Sequence, residues 1–263
     1  DAENAMPAPP AASRRGTAAL LIANMAFGLL AMTICLPSMQ EWGAIFGAPQ
    51  SQVQLTFSGY VLTYGALQLL YGPLSDRHGR RRLILLGLGL AALASLAAAF
   101  APTLEWLIAA RVLQGTGCAA CMVVGRAALQ DLFVGPERTR MMAYVGMAMG
   151  LCPPLATVIG GQLHVHFGWA SNFVLLAVLA VLLALAVARW LPAPAGRVST
   201  ARTAGDASAP GLLASYGQLA HEPGFVRHVL VLGMTSAAFY SFLGGAPMVL
   251  GSYGIGPGTV GLY

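Results

Sequence analysis

The sequence predicts an all-α membrane protein of about seven transmembrane helices, and three observations predict it. The first is composition: 57% of the 263 residues are hydrophobic and only 9% are charged, against roughly 25% charged in an ordinary soluble domain. With a mean hydropathy of +0.70, a soluble fold would lack the polar surface to cover itself. The second is that the apolar residues fall into runs of about 20 residues, the helix length that crosses the hydrocarbon of a bilayer. The third is charge placement. All fourteen basic residues are arginine, and all but Arg111 fall on alternate connections between those runs, which the positive-inside rule assigns to the cytoplasm. The net charge of +5 is thereby accounted for as a topology signal. A basic groove with interleaved aromatics, the pattern of a nucleic-acid binder, is missing from the sequence, and no nucleic-acid partner is expected.

Residues 1–16 hold Pro7, Pro9, Pro10 and Arg14-Arg15, have little to bury, and read as a disordered cytoplasmic tail. The first residue is Asp1 rather than Met, so the true start is expected to lie upstream. The first span covers 17–36, and Pro37 ends it. Glu41, Trp42 and Gln50 follow in a connection without Lys or Arg. The second span, 53–71, is less apolar. Its Tyr60, Tyr64, Gln68 and Tyr71 recur every three or four residues and share one helical face, turned from lipid either to line a path or to pack the bundle. Gly72 to Arg82 then reads as a tight cationic loop.

The third span covers 83–101, Pro102-Thr103 make a turn, and the fourth span covers 105–124. A polar loop at 125–140 leads to the fifth span, 141–163. This segment carries Gly146, Gly150, Pro153, Pro154, Gly160 and Gly161. Adjacent prolines should kink or break the helix locally, a defect that membrane helices tolerate where neighbours satisfy the freed carbonyls. A turn at 164–169 precedes the sixth span, 171–190. A Pro/Ala/Gly/Ser/Thr-rich linker occupies 192–224, and the last segment, 225–263, opens with a seventh span at 225–250.

Chemistry-bearing residues are few. Cys35, Cys118, Cys121 and Cys152 all lie inside apolar runs; Cys118-x-x-Cys121 sits in a small-residue helix without a second ligand pair, which favours packing over metal or redox work. No nucleophile–base set or phosphate loop is visible, so no enzyme activity, metal or cofactor is expected. Arg111 is different. A cation inside a span costs about 2.5–3.5 kcal/mol on insertion scales, so it normally faces a cavity or a partner. The alternative is that it snorkels to the outer interface, about 9 Å from Glu105 at 1.5 Å per residue. Gln114 lies one turn on, on the same face.

Gly72 to Arg81 fits the pattern G-x-L-S-D-R-x-G-R-R and resembles the loop between helices two and three of the major facilitator superfamily. Gln68-Leu69-Leu70-Tyr71 before it, Leu36-Pro37-Ser38-Met39, and the R-x-x-Q-G-x-G run from Arg111 to Gly117 are similar to the bicyclomycin-resistance-type (Bcr/CflA) drug exporters. Gly150 to Pro154 and Gly160-Gly161 resemble the helix-five motif of exporters. The resemblance runs from about residue 17 to the last residue. It implies a six-helix N-terminal transporter bundle plus the first helix of a second bundle, with the N-terminus in the cytoplasm. The implied function is a secondary active transporter of the inner membrane, exporting small drug-like compounds in exchange for protons, with the bilayer, substrate and protons as its partners.

It also implies site residues. Gly72, Asp76, Arg77, Gly79, Arg80 and Arg81 would form the cytoplasmic gating motif; Arg111 and Gln114 would serve substrate binding or proton coupling. The helix-five residues Gly146, Gly150, Pro153, Pro154, Gly160 and Gly161 would form a hinge; the Tyr60, Tyr64 and Gln68 face, read from its aromatic chemistry rather than from the resemblance, either lines the drug pathway or packs the bundle core. Thr33 stands where many such exporters carry an acidic residue, and apart from Glu105 at the very start of the fourth span no Asp or Glu falls within the seven spans. Alternating access needs two bundles rocking about a shared site. The chain is therefore expected to be truncated, and to need a C-terminal half or another chain for transport; the alternative is a non-transporting or partner-dependent membrane fragment.

Overall fold

The computed structural model describes residues 11–191 and 212–259, and every regular element among them is an α-helix. In chain order these are α1 (Ala11–Thr33), α2 (Met39–Phe46), α3 (Gln50–His78), α4 (Arg80–Ala99), α5 (Leu104–Leu132), α6 (Gly135–Phe167), α7 (Ala170–Trp190), α8 (Leu212–Ala220) and α9 (Pro223–Ser252). Six of them, α1, α4, α5, α6, α7 and α9, are long and apolar enough to cross a membrane. The expected second span, α3, is long enough at 29 residues. Its glutamines, serines and tyrosines, with charges at its end, leave it too polar to qualify on apolarity, and it gains shelter by packing most extensively against α5.

The helices run further than the hydropathy runs, because a helix can leave the hydrocarbon without ending. Residues 11–16 belong to α1, not to a disordered tail, and residues 1–10 lie outside the described residues. The connection holding Glu41 and Trp42 folds as α2, whose Trp42 ring lies 6.0 Å from Trp169 and 6.2 Å from Phe173. The expected polar loop at 125–140 shrinks to Phe133 and Val134, between α5 and α6. The expected turn at 164–169 is mostly the end of α6, which stops at Gly168 with φ +81°. Of the linker, 192–211 lies outside the described residues, while 212–220 forms α8.

The largest correction concerns the cationic loop. Gly72 to His78 are the last turns of α3, Arg80 to Arg82 open α4, and Gly79 alone separates them. Its φ of +87° is strained for any residue with a Cβ, which is why a glycine ends the helix there. Pro73 inside α3 has no N–H to give the carbonyl four residues back. That carbonyl, of Leu69, accepts a hydrogen bond from the Tyr216 hydroxyl of α8 at 2.9 Å. The expected break at Pro153-Pro154 is also absent: α6 continues through both, and the Thr157 hydroxyl lies within 3.2 Å of the Pro153 carbonyl and 2.9 Å of that of Pro154.

Small residues set the packing. α5 lies at the centre, with α1, α3 and α4 around it, α7 on α4, and α6 beside α1. A Cβ at Gly115 would stand 2.7 Å from the Tyr60 carbonyl of α3, and one at Gly117 2.5 Å from the Gly87 carbonyl of α4. Backbones that close allow dispersion to hold helices together where lipid offers no hydrophobic contrast. α9 is attached differently. It is largely exposed, and it meets the bundle where Gln40 donates to the Pro247 carbonyl and Gly244 lies on Phe57.

Candidate functional site

The described residues place Arg111 in the middle of this packing, wholly buried. It does not snorkel. Its Nη1 donates to the Ala31 carbonyl at 2.7 Å and to Oε1 of Gln114, and its Nη2 donates to the Met32 carbonyl at 3.3 Å. Those carbonyls belong to the last turn of α1, which ends at Thr33 and so leaves them without intrahelical donors. Arg111 is thus a cap: the cation sits at the negative end of the α1 dipole and serves both carbonyls, that of Met32 beside a weak contact from Cys35 Sγ at 3.8 Å. The Tyr60 ring lies beneath it, 4.3 Å from the guanidinium carbon, with Phe173 at 5.9 Å. Such contacts favour a desolvated cation.

A polar chain continues from the cap. Gln114 Nε2 donates to Ser95 Oγ at 2.7 Å, and the Ser95 hydroxyl donates to the Ala91 carbonyl at 2.6 Å, so α1, α5 and α4 are joined through one buried network. Among the described residues no carboxylate lies within ion-pair distance of Arg111, and its Nε has no hydrogen-bond partner. The site therefore holds a full positive charge that dipoles compensate but no anion neutralises. Two of the Arg111 N–H groups, that of Nε and one on Nη2, have no acceptor among the described residues.

The end of α1 is a meeting point for other helices as well. A Cβ on Gly160 of α6 would fall 1.8 Å from the Ile34 carbonyl, so glycine is obligatory there. Asn172 of α7 donates to Ser38 Oγ at 3.1 Å and to the Gly160 carbonyl at 3.2 Å. Thr33 is buried beside this node, with its hydroxyl turned back to the Leu29 carbonyl at 2.9 Å.

The other expected site residues divide. Tyr60 donates to the Gly28 carbonyl at 2.7 Å and stacks on Tyr64 at 5.7 Å, which places both in the core between α1 and α5, while Gln68 is half-buried nearer the arginine-rich end. In the cationic motif, Arg80 pairs with Asp131 of α5 at 2.6 Å and with Asp76 at 3.5 Å, and Arg81 donates to the Ala188 carbonyl of α7. Gly72 is half-buried; Asp76 and Arg77 are exposed. The motif thus ties the ends of α3, α4, α5 and α7 together. The helix-five residues are not one unit: Gly160 and Gly161 are cramped, by Ile34 and by the Pro257 carbonyl, whereas Gly146 and Gly150 face open space. Pro153 is buried and Pro154 exposed.

Sequence reasoning passed over several polar residues of the buried network. Ser95 and Asn24 each stand alone in an apolar run, and that isolation is the signal that would have found them, whereas Asn172 follows Ser171 at a span's start and carries no such mark. No such signal marks the pair formed at the end opposite the arginines, where His164 Nε2 lies 2.9 Å from Oε2 of Glu41. The two residues are far apart in the chain, and only the fold brings them together.

The chain matches the family described as Major Facilitator Superfamily over residues 19–263. It is 33% identical over 231 residues to "Multidrug resistance protein D" of Escherichia coli K12, covering 87% of this chain and 57% of that protein. It is 34% identical over 190 residues to "Chloramphenicol resistance protein" of Pseudomonas aeruginosa, covering 70% and 45%. Among solved structures, a bacterial homolog of the human lysosomal transporter Spinster, inward-facing and unoccupied, superposes with a TM-score of 0.77 at 16% identity, over 96% of this chain and 59% of that one. The chain spans less than two thirds of the length of these relatives.

Proposed function

The chain belongs to the Major Facilitator Superfamily, a family of membrane transporters rather than enzymes, and we propose that it is part of a bicyclomycin-resistance-type exporter. In this reading it moves small drug-like compounds across the inner membrane in exchange for protons. Its N-terminus and arginine-rich end lie in the cytoplasm, and its bundle works against a second one supplied by further residues or by another chain. The relatives named for multidrug and chloramphenicol resistance support the class of cargo.

One observation carries the reading: a fully buried guanidinium with spare donors, capping the end of α1 and without a carboxylate partner among the described residues. A substrate acceptor group or a transient anion can take the place that a counter-ion would hold, adding an ionic partner to the dipoles that already compensate the cation. The spans offer no interior carboxylate to titrate. The Glu41–His164 contact at the opposite end, 2.9 Å long, is the pair we assign to coupling.

The test is drug efflux from cells expressing the complete coding sequence, with and without a proton uncoupler. Export should collapse with the uncoupler, and export insensitive to it would sink the antiport reading. Arg111→Ala should lower export by more than any fall in its membrane abundance accounts for.

A second reading, a membrane protein that acts only with a partner, is favoured by the long exposed face of α9. Expression of the complete coding sequence as the only added gene separates the two, since measurable efflux from it would exclude partner dependence and no efflux would favour it.

A further inference from the structure

Away from Arg111, a cavity of about 450 Å³ opens between the arginine-rich ends of α1 and α6. Its size falls in the range of small-molecule sites, roughly 300–1,000 Å³. Arg14 and Arg15 enter it from α1 and Arg140 from α6; the one acidic residue lining it is Glu137. Three cations against one anion leave a net positive basin, and among the described residues none of the three arginines has a carboxylate within ion-pair distance.

Two of these arginines are held in place from behind. Arg14 donates to the Leu132 carbonyl and lies 5.2 Å from the Phe133 ring, while Arg140 Nε bonds to the Tyr144 hydroxyl at 3.1 Å. Arg15 is exposed. The other lining of the cavity is apolar: Ala18, Ala19 and Ile22 of α1 with Met141 of α6 continue from the basic mouth along two helices of membrane-spanning length. The site is thus charged at one end and greasy at the other. A free anion would use only the first half.

We propose that this cavity binds the headgroup of an anionic phospholipid in the leaflet that meets the arginine-rich end, with the acyl chains laid along the α1–α6 seam. Basic pockets between transmembrane helices at the charged face of a bilayer have the chemistry for this: guanidinium forks match phosphate oxygens, and surface cations attract acidic lipid. The inference does not rest on the exporter reading, because it needs only the membrane-spanning bundle. Its consequence is that acidic lipid would staple α1, whose far end Arg111 caps, to α6.

The full chain, purified in detergent and then exposed to dioleoyl phosphatidylglycerol, dioleoyl phosphatidylcholine or inorganic phosphate, provides the test, with retained lipid read by native mass spectrometry. Phosphatidylglycerol should be retained over phosphatidylcholine, and Arg15→Gln with Arg140→Gln should lower its retention about tenfold. Arg82→Gln, which removes a cation from the same end but outside the cavity, should leave retention unchanged, and Glu137→Gln should raise it. The Glu137→Gln arm stands even if the double variant fails to fold. Equal retention of the two lipids, retention unchanged in the double variant or in Glu137→Gln, or equal loss with Arg82→Gln would overturn the proposal. Full displacement by millimolar inorganic phosphate would overturn it in favour of a soluble-anion site.

Discussion

α5 and α6 are both glycine-bearing helices of membrane-spanning length, yet they do opposite things. Of the most apolar part of each, 67% is buried in α5 and 17% in α6. In α5 the glycines are the contact: Gly115 lies on α3 and Gly117 on α4, and Arg111 and Gln114, one turn before them, fill the polar gap that such close approach creates. In α6 only Gly160 and Gly161 are pressed by neighbours, while Gly146 and Gly150 look out on nothing. The same residue type therefore marks a finished interface in one helix and an uncovered face in the other. An uncovered small-residue face is what a second bundle would need for close packing.

The sharpest way to break that comparison is a pair of alanines. Gly117→Ala forces a Cβ to 2.5 Å from the Gly87 carbonyl, a backbone atom that cannot swing away, and should cost about 3 kcal/mol or more. Gly150→Ala adds a methyl in open space and should stay within about 0.5 kcal/mol. Thermal unfolding in detergent reads both, and similar losses would erase the distinction.

Next in size is Arg111→Ala. It uncaps two carbonyls and strands Gln114 Oε1, for an expected loss of about 1–3 kcal/mol in stability and at least about tenfold in export. Arg111→Lys should recover stability only in part, since one ammonium cannot reproduce the planar fork that spans α1 and Gln114. Full recovery of export by lysine would argue that charge alone matters.

Tyr216→Phe removes the donor to the carbonyl that Pro73 frees and should loosen α8 by about 0.5–1.5 kcal/mol, read as faster proteolysis or amide exchange within 212–220. The smallest effect is expected for Asp131→Asn. Asp131 is more than half exposed, so its pair with Arg80 is screened and worth less than about 1 kcal/mol; added salt should abolish the difference in melting temperature.

Much of the fold was legible in one dimension. Hydropathy marked the long helices, and the run Arg111 to Gly117 pointed to a polar position followed by close packing. The helix ends were not legible, because α1, α3, α5 and α6 continue into polar sequence where side chains such as Arg14, Arg80 and Arg138 reach backbone carbonyls or carboxylates. Of the candidate site, Arg111 and Gln114 were found from their type and spacing. Ser95, Asn172 and the Glu41–His164 pair were not, since each acquires its role from a partner on another helix.

The sequence by itself determined class, the rough places of the long helices and superfamily, because each depends on local sums: apolar length against bilayer thickness, arginine bias between connections, and motif spacing. Tertiary structure alone decided what Arg111 is. Its burial, its place on the last carbonyls of α1 and the absence of a carboxylate beside it among the described residues follow from how α1, α3, α4 and α5 close on one another. A side chain's electrostatic environment is a property of that closure, not of its neighbours in the chain.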